Sequence, residues 1–214
     1  MRRLIRWVGV LVLACASHAQ AGVIVGGGQT SVALDLPLLS SVGLNLTGTT
    51  GPVIVPGELP GSVAFPITGA TTFEYTAGTV APFSGTIEHA GGVTFNDTLT
   101  VGDFTIGYDA ARVGGARSGF FVADNIGFPG AVLFDIGSLD VTTASTTLLL
   151  AAGDLLVSST LAGVLGNTQL TGVDVGDALV RATAVPEPGV LALLLVSGIA
   201  GVYAGRRRRT DRPR

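Results

Sequence analysis

The chain has no lysine, a single cysteine, a single tryptophan and two histidines, and charged residues make up only 13% of it. Each shortage removes a class of chemistry. With Cys15 alone, no disulfide can form within the chain. His18 sits in an N-terminal segment that reads as removable, so His89 is the one histidine left for the remainder. A multi-histidine metal site is thereby excluded, and zinc hydrolysis with it. No Gly-x-Ser-x-Gly stretch occurs, and a Ser-His-Asp triad would have to use His89, which is flanked by Gly91 and Gly92 and reads as an exposed turn residue. Gly26-Gly27-Gly28 follows an apolar run, but no helix pattern follows it, so a phosphate cradle is not expected.

What charge there is lies unevenly. Between Gly22 and Ala184 there are three arginines, at 112, 117 and 181, against thirteen aspartates and glutamates, which leaves −10. Both ends are basic. An acidic body repels phosphate backbones, so nucleic acid is not an expected partner.

The two ends read as addresses. Met1-Arg2-Arg3-Leu4-Ile5-Arg6 is a positive n-region, Trp7 to Ala16 an apolar h-region, and Ala19-Gln20-Ala21 supplies small residues for signal peptidase. Residues 1–21 are therefore expected to be a Sec signal peptide, with a mature start at Gly22. Val12-Leu13-Ala14-Cys15 loosely resembles a lipobox, so lipoprotein processing at Cys15 is the alternative.

At the other end, Val185-Pro186-Glu187-Pro188-Gly189 precedes an uncharged run, Val190 to Gly205, and then Arg206-Arg207-Arg208-Arg209. A helix satisfies its own backbone, so residues 190–205 can enter lipid. At about 1.5 Å per residue the helix is shorter than the roughly 30 Å of a bilayer core, and Tyr203 and the arginine stems can snorkel across part of the difference. Four arginines in a row resist burial and favour the cytoplasmic side, which puts the chain before Val190 outside the inner membrane. Pro186 and Pro188 are expected to end regular structure ahead of the span. Residues 210–214 form a short cytoplasmic tail.

Motif, apolar helix and arginine cluster, in that order at the C-terminus, resemble the PEP-CTERM sorting signal of Gram-negative bacteria. The resemblance covers about the last 30 residues only. It implies recognition by an exosortase, a membrane-embedded, cysteine transpeptidase-like enzyme, through Val185, Pro186, Glu187 and Pro188, with Arg206, Arg207, Arg208 and Arg209 as the membrane-anchor flank. It further implies transfer of the body towards the cell surface or the extracellular matrix, where exopolysaccharide is the partner class a biofilm role admits.

Residues 22–184 show short apolar runs broken by Gly, Pro, Thr and Asp, the pattern of many short strands. Val23-Ile24-Val25 should end in a turn at Gly26-Gly27-Gly28, and residues 37–70, punctuated by prolines, should be loops and edge strands. Phe73 and Tyr75 share a face, as do Phe104, Ile106 and Tyr108. Thr86–Glu88 and Val93–Phe95 read as a hairpin around His89–Gly92, with Asn96-Asp97 as the next turn. Strands are expected at 119–122 and 131–134 around Pro129-Gly130, at 146–150, at 154–157 and at 177–182. One helix is expected after Ser158 or Ser159, stopped by Gly166-Asn167. The fold class expected is all-β: a single β-sandwich or jelly-roll-like ectodomain with one C-terminal transmembrane helix.

Asp97, Asp103 and Asp109 at six-residue spacing, with Asp174 and Asp177, could supply calcium ligands, but match neither an EF-hand nor a nonapeptide repeat and read as turn caps. Glu74, Glu88, Asp124 and Asp140 are the candidates for a glycosidase pair. A haem-ligating tyrosine would be Tyr75 or Tyr108, and both read as packed on a sheet face. No catalytic, cofactor or metal residues are assigned. The reading is an exported, non-enzymatic surface or matrix protein, with a calcium- or carbohydrate-binding module and a carboxylate-based glycoside-active enzyme as alternatives.

Overall fold

The structure, a computed structural model, describes residues 23–79 and 82–186. Within them, Val23–Val185 forms one compact unit. Ala19, Ala21, Gly22, Cys15, Glu187, Pro188, the apolar run 190–205 and Arg206 to Arg209 lie outside the described residues. Among the described residues, no helix is long and apolar enough to cross a membrane.

The unit is all-β. Strands β1 (Val23–Leu34), β3 (Val63–Pro66), β4 (Glu74–Tyr75), β5 (Phe83–Ser84), β6 (Thr86–Glu88), β9 (Thr105–Tyr108), β10 (Arg117–Asp124), β11 (Ala131–Gly137), β12 (Asp140–Thr143), β13 (Thr147–Val157) and β14 (Asp174–Pro186) form one large sheet. Strands β2 (Leu46–Thr50), β7 (Gly92–Phe95) and β8 (Leu99–Gly102) form a second, smaller one.

The large sheet returns on itself. Hydrogen-bonded neighbours run β1–β14–β13–β11–β10–β9–β6. Beyond β6 the circuit is completed by the end of β3: Ile67 bridges His89, Ala90 N–H donates to the Pro66 carbonyl (3.1 Å), and Ile67 N–H donates to the Gly28 carbonyl of β1 (2.9 Å). Side chains alternate across each strand, so a closed circuit has one set facing inward. That inward set is the core: Ile87 on β6, Ile106 on β9, Phe120 and Val122 on β10, Leu155 and Val157 on β13, Val180 and Ala182 on β14.

The interior is filled unevenly. At one end Phe73, Phe83, Tyr108 and Phe120 pack together with ring centroids 5.1–6.1 Å apart. The opposite end is filled mainly by valine and leucine and is covered by the small sheet and two short helices.

The small sheet grows from the same hairpin as the barrel wall. Thr86–Glu88 pairs with Thr105–Gly107, and Gly92–Phe95 with Leu99–Gly102, so residues 86–108 are one long hairpin with its tip at Asn96-Asp97, both at positive φ. The arms bend where Gly91-Gly92 faces Gly102. A Cβ on Gly102 would sit 2.6 Å from the Gly91 carbonyl oxygen and from the Gly92 Cα, so only glycine lets the two arms cross this closely. The expected hairpin around His89–Gly92 is thus a bend within one arm. Glycines there signal close backbone approach rather than reversal.

Helix α1 (Leu36–Ser41) falls in a stretch expected to hold only loops and edge strands. Its signal was local: Asp35 Oδ1 accepts from Leu38 N–H (3.0 Å) and Pro37 occupies the first turn. Helix α2 (Ser159–Val164) is where it was expected, capped by Ser158 Oγ accepting from Leu161 N–H (3.0 Å). Gly26-Gly27-Gly28 is not a turn but part of β1, with Gly28 at φ 119° against the Arg181 carbonyl of β14, where a side chain has no room. The last strand is longer than 177–182 and runs through Val185 to Pro186. The boundary expected at 184/185 is therefore not a break in regular structure. Pro186 lies beyond the last pair of the β14–β13 ladder, Thr183 with Thr147, so its missing donor removes no bond of that ladder.

Candidate functional site

The valine- and leucine-filled end of the barrel holds a partly open cavity of about 90 Å³. Its wall comes from both sheets and both helices. Val32 of β1, Val122 of β10 and Leu155 of β13 form the barrel side, Val93 and Val101 the small-sheet side, and Leu38 and Leu161 the helical side. Two polar side chains reach it, Thr30 and His89.

His89 is 5% exposed, not an exposed turn residue. It lies two residues beyond Ile87 on the same arm and shares its inward direction. Its Nδ1 is 2.8 Å from the Phe104 carbonyl, which can only accept, so this nitrogen carries the proton. Nε2 then accepts from the Thr30 hydroxyl at 2.7 Å. Burial holds the imidazole below the ordinary histidine pKa, opposed by the Phe104 carbonyl and by Glu88 nearby, so the ring is neutral at pH 7. Both nitrogens are spent on the fold. The two bonds make the ring a strap between β1, through Thr30, and the β6–β9 hairpin, through Phe104.

Asp124 is a second buried polar group and is completely covered. Oδ1 accepts from Gly102 N–H (2.6 Å) and Ile126 N–H (3.2 Å), and Oδ2 accepts from Phe128 N–H. It ties the bend of the long hairpin to the end of β10. The alternation Phe120-Val122-Asp124 on one face of β10 was the sequence signal for it.

The other carboxylates are occupied locally. Asp109 Oδ1 accepts from Ala111 N–H (2.8 Å) and Asp174 Oδ1 from Gly176 N–H (3.0 Å), the turn-capping role expected of them, whereas Asp103 Oδ1 accepts from Gly91 N–H (2.9 Å) across the two arms of the hairpin. Asp97 occupies the hairpin tip at φ 59°. Among the described residues, no group of three metal-ligating side chains converges. Of the four glycosidase candidates, Asp124 is sealed, Glu88 accepts from the Thr86 and Thr105 hydroxyls (2.6 and 2.7 Å), and Glu74 and Asp140 are exposed on β4 and β12. Tyr75 is buried and its hydroxyl donates to the Ala144 carbonyl (2.6 Å), while Tyr108 belongs to the aromatic stack, so both pack on a sheet face as expected. Burial raises the Tyr75 pKa. Arg112 pairs with Asp135 (2.8 Å) and lies 5.5 Å from the Phe121 ring centre; Arg181 pairs with Glu58 (2.8 Å).

No family model matches the chain, and no curated protein does. One solved structure that is similar is the C-terminal domain of HtaA from Corynebacterium glutamicum, at a TM-score of 0.46 and 10% identity over 76% of this chain and 99% of that one.

Proposed function

We propose that the chain is an exported, non-catalytic surface or extracellular-matrix protein of a Gram-negative bacterium, sorted by an exosortase through its C-terminal tail. In this reading the all-β unit lies outside the inner membrane, residues 190–205 hold it there as a transmembrane helix, and Arg206 to Arg209 keep that helix's end in the cytoplasm until the tail is removed.

The observation that carries the reading is where the compact unit stops and starts. It spans Val23–Val185. The expected signal-peptidase site falls immediately before it, and the sorting motif begins at its last residue. Removal of the residues before Val23 and of those beyond Pro186 would leave every strand of the barrel intact, as a protein matured by two cleavages requires. The acidic, lysine-free surface suits a crowded matrix, since net charge far from zero opposes association.

The test is intact-mass spectrometry of the protein from an exosortase-positive host. The chain should lose both its first 21 residues and its tail, and Pro186→Ala/Pro188→Ala should retain the tail. Identical processing of the variant and the parent would overturn the reading.

A further inference from the structure

We propose that the cavity is a binding site for a small alkyl group, either a free hydrocarbon or the end of an aliphatic chain. The inference stands on the geometry of the barrel end and does not depend on the export reading.

The cavity offers water nothing to bond. Its two polar side chains satisfy each other, and the remaining histidine nitrogen is taken by the Phe104 carbonyl. Among the described residues no buried side-chain nitrogen or oxygen lacks a partner. A void walled by apolar groups stays dry and accepts nonpolar occupants of matching size. At about 90 Å³ it is far below the several hundred Å³ of sites for drug- or sugar-sized ligands, so the occupant is a few heavy atoms.

The cavity also reaches the surface through an apolar rim. Val164 on α2 lines it and is 47% exposed, and Leu38, Val42, Leu161 and Leu165 from the two helical segments are half-buried beside it. Helices of six residues depend on tertiary packing for their stability, so α1 and α2 are the part of the wall that yields most readily. The remainder of the wall is held by the ladder, by Asp124 and by the His89–Thr30 bond. An alkyl group therefore enters between α1 and α2 and meets a rigid floor.

The experiment is methyl-resolved NMR of the full chain in lipid nanodiscs. Two probes are used: xenon under pressure for a free nonpolar occupant, and sodium octanoate for a chain end. Saturable shifts are expected at the Val93, Val122 and Val157 methyls and not at Val113, which is exposed elsewhere. Leu155→Phe fills the cavity and should abolish them; Val122→Leu is the milder filling if Leu155→Phe does not fold. Response to xenon alone assigns the site to free small hydrocarbons, and response to both assigns it to chain ends as well. Absence of saturable shifts with either probe, or shifts that survive the filling variants, overturns the proposal.

Discussion

Thr30, on β1, and His89, just beyond the end of β6, are 59 positions apart in the chain, yet their side chains meet at 2.7 Å inside the barrel. The contact spans the point at which the sheet closes, because the same histidine forms the bridge to Ile67.

This gives the first prediction. The buried imidazole is held below its ordinary pKa of about 6.5, so the neutral ring belongs to the fold. Above pH 6.5 neither folded nor unfolded chain carries the charge and stability is independent of this group. As pH falls below 6.5 the unfolded chain takes up a proton that the folded chain refuses, and stability drops by up to about 1.4 kcal/mol per pH unit until the folded value is reached. His89→Gln should cost about 1–3 kcal/mol at pH 7.5, with a smaller cost at pH 5.5. Urea titrations of both proteins at the two pH values measure this, and a gap of constant size would falsify it.

Asp124 supports the second. Replacing it with alanine strands three backbone N–H groups away from water, so Asp124→Ala should cost about 3–5 kcal/mol. Amide exchange should quicken first at Gly102 and Phe128, its two flanking partners. A variant that melts within a degree or two of the parent would show that water replaces the carboxylate.

Two glycines should respond with opposite signs. Gly102→Ala forces a methyl against the backbone of Gly91 and Gly92 and should destabilise by about 1–3 kcal/mol. Gly163, within α2, has nothing within 4 Å of the added Cβ, so Gly163→Ala should stabilise by up to about 1 kcal/mol. Thermal melts of the pair, run side by side, decide it.

The Arg112–Asp135 pair supports the fourth. Asp135 is 5% exposed, and losing its partner leaves a largely buried carboxylate without a counter-charge. Because Arg112 is itself partly solvated, Arg112→Ala should cost about 1–3 kcal/mol, below the figure for a fully buried pair. Arg112→Lys should recover only part of that, since a lysine cannot reproduce the planar contact with Phe121. Full recovery by lysine would reduce the interaction to charge alone.

Much of the wall was readable from alternation. Phe104-x-Ile106-x-Tyr108 and the runs around Pro129-Gly130 became β9, β10 and β11, and the Ser158 cap with Gly166 bounded α2. Glycine misled twice, at Gly26–Gly28 and at Gly91-Gly92, because the same residue marks reversals and close strand crossings. The site was hidden for a different reason. His89 looks like a turn residue beside two glycines, and only its parity with Ile87 hints that it points inward. Closure of the barrel depends on pairings between residues 28, 67 and 89, which no local pattern records.

The bridge at Ile67 has one more effect. A sheet that ends in open strands can recruit another copy of itself through bare backbone, and a secreted protein accumulating outside the cell would be exposed to that hazard. Here the principal ladder has no terminus around the barrel's waist. Among the described residues, growth into fibres by strand addition is left only short edges such as β2, β8 and β12 to start from.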